Sequence, residues 1–123
     1  MTRARRARGS MAFHTGFAAE ECVARHYDRA GRPVLARRWR GQGGEIDVIV
    51  RDGAETVFVE VKAAATHALA ARRIDPRQVR RLYDCAGEYM GTLPDGLNSA
   101  VRFDVALVDG TGRVEVIENA LAG

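Results

Sequence analysis

Two segments rich in β-forming residues, Glu45 to Val50 and Thr56 to Lys62, stand on either side of Asp52-Gly53. Valine, isoleucine and phenylalanine fill most of their positions, and Asp-Gly is a strong short-range turn signal, so the pair is predicted to form an antiparallel hairpin. Val57, Val59 and Val61 mark the second strand as central. A central strand needs neighbours in the sheet and cover on its faces. The rest of the chain offers both.

Upstream, a helix is expected from an N-cap at Thr15 to about Ala30, stopped by Gly31 and Pro33. Its inner stripe reads Phe13, Phe17, Glu20, Ala24 and Tyr27, which places an acid in an apolar row. Val34 to Arg40 reads as a short strand, followed by the flexible turn Gly41-Gln42-Gly43-Gly44. Downstream of the hairpin, Ala63 to Arg73 is a loop or an irregular alanine-rich turn. A second long helix starts at the N-cap Asp75 with Pro76 at its first position, shows an apolar face of Val79, Leu82, Tyr83, Ala86 and Met90, and ends at Gly91. Strands follow at Val101 to Val108 and near Arg113 to Glu118, joined by Asp109-Gly110. The order α-β-β-β-α-β-β predicts an α/β fold with helices flanking the sheet.

With 123 residues the chain holds one core, expected over residues 13–123 behind a disordered basic tail at 1–12. No apolar run reaches the ~20 residues of a membrane helix, and no hydrophobic stretch of the signal-peptide kind follows the basic start. A cytoplasmic protein with no membrane partner is the expectation. Cys22 and Cys85 form no CxxC pair and are read as reduced core or half-buried thiols, and His14, His26 and His67 have no metal-ligand spacing. Ten arginines fall in the first forty residues, and Arg72, Arg73, Arg77, Arg80 and Arg81 form a second group. Such clusters suit a polyanion, nucleic acid first among them, and equally a solvated face. Trp39, between arginines, is read as a core anchor at a strand end rather than a base-stacking platform.

Lys62 is the only lysine, against eighteen arginines. In so biased a composition, its place in Glu60-Val61-Lys62 implies that a compact ammonium is wanted where a planar guanidinium would not serve. Asp47 lies thirteen residues before Glu60. If the hairpin loop holds an even number of residues, odd positions of the first strand oppose even positions of the second, and Asp47 meets Glu60 directly or one diagonal step away. A one-residue slip would destroy that pairing. Two carboxylates on one face repel unless a cation neutralises them, and hard oxygen donors select Mg2+ or Mn2+. Asp47 and Glu60 are thus the expected metal ligands, with the Val61 carbonyl a further candidate. Lys62 would orient water or offset transition-state charge. Glu20 would support the shell, unless it merely reaches solvent at the stripe's edge.

These residues resemble the bacterial YraN-like proteins, predicted endonucleases distantly related to archaeal Holliday junction resolvases within the PD-(D/E)xK nuclease superfamily. The resemblance runs from Gly16 to about Val108 and rests on Gly16-Phe17-Ala18-Ala19-Glu20, Trp39-Arg40, Gly44-Glu45-Ile46-Asp47, Val57 to Lys62, and Arg102-Phe103-Asp104. It implies a restriction-endonuclease-like core, a mixed sheet flanked by helices, with Glu20, Asp47, Glu60 and Lys62 at the nuclease positions. Similar proteins usually carry an arginine where Ala64 stands and a lysine near Gln78, and often an asparagine where Arg38 stands. The function expected is metal-dependent hydrolysis of DNA phosphodiesters, on branched or other non-duplex DNA, with Arg38, Arg40, Arg77, Arg80 and Arg81 holding the backbone. The alternative is a non-catalytic nucleic-acid-binding or assembly module of the same fold. Related resolvases act as dimers, though no exposed apolar stripe in the sequence marks a homodimer interface.

Overall fold

The computed structural model describes residues 18–120. The expected basic tail, the N-cap Thr15 and the stripe residues Phe13 and Phe17 lie outside the described residues. Helix α1 occupies residues 18–29, followed by β1 (Val34–Arg40), β2 (Glu45–Asp52), β3 (Glu55–Ala63), α2 (His67–Ala71), α3 (Pro76–Met90), β4 (Val101–Val108) and β5 (Val114–Ile117), with one 3₁₀ turn at Gly96–Asn98. The five strands form one sheet in chain order. β3 and β4 are parallel and all other neighbours antiparallel, so the sheet is mixed and β3 is its centre. A parallel pair cannot be joined by a tight turn; α2 and α3 make the crossover.

Local chemistry sets the element ends. Asp75 accepts the Arg77 amide at 2.9 Å and Pro76 opens α3, as the sequence suggests. Gly31, at φ +77, lets the chain reverse after α1 so that the Arg32 amide donates to the Tyr27 carbonyl at 2.9 Å. The Ala63–Arg73 segment, read from sequence as irregular, contains the five-residue α2, capped by the Thr66 hydroxyl accepting from the Leu69 amide at 3.2 Å. Five residues are too few for a helical period to show, while alanine's propensity and the threonine cap suffice once the tertiary fold supports them.

Both faces of the sheet are covered. α1 sets Ala19, Val23 and Tyr27 against Val48, Val50, Val57, Val59, Ala106 and Val108. α3 sets Leu82, Cys85 and Ala86 against Ile46, Ile49 and Phe58 on the other face. Trp39 packs in this second layer, edge-on to Tyr89 at 5.4 Å between ring centroids, so it is the anchor rather than an exposed platform. Cys85 is buried and Cys22 half-buried, both free thiols. Among the described residues no helix is long and apolar enough to cross a membrane.

One detail of packing positions the site. Ile46 and Val48 are two residues apart, yet Ile46 joins the α3 layer and Val48 the α1 layer. Regular alternation would put them on one face, so β2 twists out of register at Asp47. Directly across on β1, between the pairs Arg37↔Val48 and Trp39↔Ile46, stands Arg38 at φ +51. A non-glycine residue in that left-handed region is held there by its surroundings.

Candidate active site

The hairpin loop is Gly53-Ala54, with Asp52 paired to Glu55 and Gly53 at φ +59. The turn is therefore centred one residue later than Asp52-Gly53. It still holds an even number of residues, and the parity argument carries through: Arg51 opposes Thr56, Ile49 opposes Phe58, and the ladder ends at Val48↔Val59. The next pair in that register is Asp47 with Glu60. Here the backbone ladder gives way to a side chain, because Asp47 Oδ2 accepts the Val61 amide at 2.8 Å. Where β2 and β3 part, a cleft of about 500 Å³ opens, lined by Glu20, Asp47, Glu60, Lys62, Arg73 and Gln78 among others.

Five elements or their flanks contribute to it. Lys62 Nζ lies 3.1 Å from Glu60 Oε1 and donates to Gln78 Oε1 from α3. The two side chains are only 12% and 17% exposed, so this is not the solvated ion pair that a Glu-x-Lys triplet on a strand usually makes. Glu20 is buried at 6% exposure and turns inward rather than to solvent. Arg38 Nε donates to its Oε2 at 2.7 Å. Carboxylate oxygens of Glu20, Glu45 and Asp47 all lie within 4.8 Å of one another.

So dense a group of acids perturbs its own ionisation. Burial, the Glu60 carboxylate and, to a lesser degree, Glu20 push the Asp47 carboxyl up to about 7, against the pull of the Val61 amide and Lys62. Burial also raises Glu60, and Lys62 opposes that rise. The donor set is wholly hard oxygen and mutually repulsive, with Glu20 buried, Asp47 and Glu60 half-buried and Glu45 exposed, and it fits a divalent cation of the magnesium kind.

Of the residues picked from sequence, Glu20, Asp47, Glu60, Lys62 and Val61 line one cleft. Val61 contributes its amide, to Asp47. Arg38 and Arg40 hold carboxylates, the latter Glu45 at 3.4 Å. Arg77, Arg80 and Arg81 are exposed on α3, with no ion-pair partner among the described residues. Two residues lining the cleft, Arg73 and Gln78, and Glu45 beside Glu20 and Asp47 escaped the sequence reading. Glu45 could have been drawn from its i, i+2 relation to Asp47. Gln78 and Arg73 reach the cleft only through the crossover, which has no local signature.

Fold and site together define a mixed α/β domain in which three carboxylates and a lysine converge where two central strands diverge. The chain belongs to the family described as Uncharacterised protein family UPF0102, whose model matches residues 19–108. It is 58% identical over 114 residues to a UPF0102 protein of Cereibacter sphaeroides strain KD131, covering 93% of this chain and 97% of that one. A UPF0102 protein of Ruegeria pomeroyi is 51% identical over 113 residues, 92% of each chain. One of Dinoroseobacter shibae is 45% identical over 119 residues, covering 97% of this chain and 89% of the other. The YraN-like resemblance is thus borne out at the level of the family.

Proposed function

We propose that this protein is a metal-dependent endonuclease of the restriction-endonuclease-like kind, hydrolysing DNA phosphodiester bonds in the cleft at the β2–β3 divergence. The observation that carries the reading is the mutually repelling set of buried Glu20 with half-buried Asp47 and Glu60 facing the chain's only lysine. An apolar or singly charged cleft would be more stable, and a cation site gives these acids a function. Asp47 and Glu60 would hold Mg2+ or Mn2+, with Glu20 and Glu45 as neighbouring oxygens and the Val61 carbonyl as a further donor. When bound, such an ion polarises the scissile phosphate and makes water more acidic.

The chain's own groups supply the rest. Lys62, held between Glu60 and Gln78, keeps its ammonium in the cleft, where it can orient the attacking water and offset charge building on the phosphoryl oxygens. Arg73 at the cleft edge, with Arg72, Arg77, Arg80 and Arg81 alongside, offers guanidiniums to the DNA backbone. Recognition through phosphates carries no sequence preference and weakens steeply with salt. Arg38 and Arg40 sit nearer the acids and moderate their charge.

The ion pair between Arg38 and Glu20 gives a second reading some footing: a cation of the chain's own already moderates this cluster, as a non-catalytic nucleic-acid-binding module would require. One experiment separates the two. Labelled duplex, single-stranded and four-way-junction DNA are incubated with Mn2+ and either wild type or Lys62→Ala. Cutting that falls on the order of 10²–10³-fold in the variant is the expected result. Salt-sensitive binding with no cutting by the wild type would leave the binding module.

A further inference from the structure

A second cavity, of about 610 Å³, lies on the other flank of α1, between that helix and the start of β5. Cys22, Arg25, His26 and Arg29 line it from α1, and Gly112 and Arg113 from the β4–β5 connection. Among the described residues no carboxylate lines it. The fold's arginines divide into two populations. Arg32, Arg37, Arg38, Arg40 and Arg102 are held by acids. Arg29 and Arg113 have no ion-pair partner among the described residues, and both are exposed. Among the described residues the ion-pair partner of Arg25 is Glu21, at 3.9 Å and with 63% of the arginine side chain exposed.

The backbone that carries these cations is fixed while their side chains are not committed. The Arg113 amide donates to Asp109 Oδ1 at 3.0 Å and its carbonyl takes a 2.9 Å contact from His67 Nε2. A Cβ at Gly112 would come within 3.3 Å of Cys22 Sγ, so the connection lies tightly against α1. Arg25 and Arg29 are four residues apart on one helix face, with Cβ atoms roughly 5–6 Å from each other. Arg113 faces them from the opposite wall. A row of cations in an open groove matches successive charges of a linear polyanion better than one compact anion, which would want a closed nest of donors.

We propose that this groove is a second DNA-backbone site, separate from the acidic cleft and able to engage phosphates there without any metal. It rests on the proposal that the protein acts on DNA, but not on cleavage. α1 carries both sites: Glu20 and Arg29 are nine residues apart, about 14 Å along the helix axis, or roughly four base-pair steps at 3.4 Å. Bound DNA would therefore contact the protein on two flanks of one helix. A substrate with two arms, or one long enough to bend around α1, would be held better than a short straight duplex.

The test is equilibrium binding of a labelled four-way junction and a short duplex, in EDTA, across a salt series. Three proteins are compared: wild type, Arg29→Ala/Arg113→Ala, and Arg51→Glu, which removes the same charge outside the groove. The expected outcome is that the double variant loses about two from the slope of log affinity against log salt and on the order of tenfold in affinity for the junction, more than for the duplex. Arg51→Glu should lose less than half as much. An unchanged slope in the double variant, or an equal loss in Arg51→Glu, would overturn the proposal. Alkylation of Cys22, which junction DNA should slow in wild type and not in the double variant, localises the effect to the groove. Cleavage by wild type and by the double variant at saturating DNA with Mn2+ reports on the nuclease reading separately.

Discussion

At the scale of single residues, the cleft stores electrostatic repulsion that the folded chain tolerates by protonating an acid. Asp47, at about 7 in the folded protein, lies well above the ordinary aspartate value that it regains on unfolding. The folded state therefore binds the proton more tightly, and metal-free stability is greatest below the unfolded value and falls as pH rises from about 4 through about 7. In EDTA, urea unfolding across that range should show a loss on the order of 2 to 4 kcal/mol. Asp47→Asn should flatten the slope and unfold at higher urea than wild type at pH 8. Millimolar Mn2+ should stabilise wild type at pH 8 and leave Asp47→Asn nearly unmoved. A wild-type protein equally stable at pH 5 and pH 8 in EDTA would show that Asp47 is not under this pressure. Asp47, Glu60 and Lys62 were legible in the sequence because strand periodicity and turn parity fix which side chains meet across a hairpin. Glu20 was legible only as an anomaly in an apolar stripe. Gln78 and Arg73 were not, because helix-to-strand contacts across a crossover leave no periodic trace.

At the scale of elements, the site depends on a local break in strand geometry. Alternation in β2 fails at Asp47, and the facing Arg38 adopts φ +51. Asparagine tolerates that region better than most residues. Arginine at this position instead reaches Glu20. The neighbouring turn is equally constrained. Gly44 sits at φ +143, its carbonyl accepts the Gly41 amide at 2.8 Å, and a Cβ would stand 3.5 Å from Cys85 Sγ. A Cβ at Gly41 would overlap the Glu88 carboxylate, whose other oxygen takes the Gln42 amide at 3.1 Å. The glycine run read from sequence as a flexible turn is therefore a close-packed one. Gly44→Ala should cost about 1–3 kcal/mol in urea unfolding and shift Asp47 relative to Glu60, weakening Mn2+ binding by calorimetry more than an exposed Gly53→Asn change does. Equal Mn2+ affinity in the two variants would mean that the turn does not aim the acid.

Across the whole molecule, the β2–β3 hairpin separates two charge systems. Its open end holds the cleft. Near its turn, five residues along β2 and roughly 17 Å away at strand rise, Arg102 donates to Asp52 at 2.8 Å, contacts Glu55 at 3.3 Å, and reaches Asp104 at 2.9 Å. Asp104 is fully buried and also accepts the Tyr27 hydroxyl at 2.9 Å and the Asn119 amide at 3.0 Å. That single carboxylate joins α1, β4, the hairpin and the segment after β5. Arg102-Phe103-Asp104, one of the motifs behind the family resemblance, thus has a structural explanation away from the cleft. Burial and the Asp104 charge hold the Tyr27 hydroxyl far above its usual range, so it remains a donor. Tyr27→Phe should cost about 1–3 kcal/mol, since Asp104 keeps its other partners. Arg102→Met should cost about 3–5 kcal/mol, because it leaves a buried carboxylate without its cation. Arg102→Met/Asp104→Leu should recover part of that loss, since an apolar pair removes the uncompensated charge but leaves the Tyr27 hydroxyl and the Asn119 amide without their acceptor. Urea unfolding of the four proteins measures all three differences, and Mn2+ affinity of the folded variants should stay near wild type because the cleft lies at the far end of the hairpin. If the double variant were as unstable as Arg102→Met, the loss would come from packing around these side chains rather than from an unpaired charge. The network would then be a consequence of how the layers fit, not the tie that holds them.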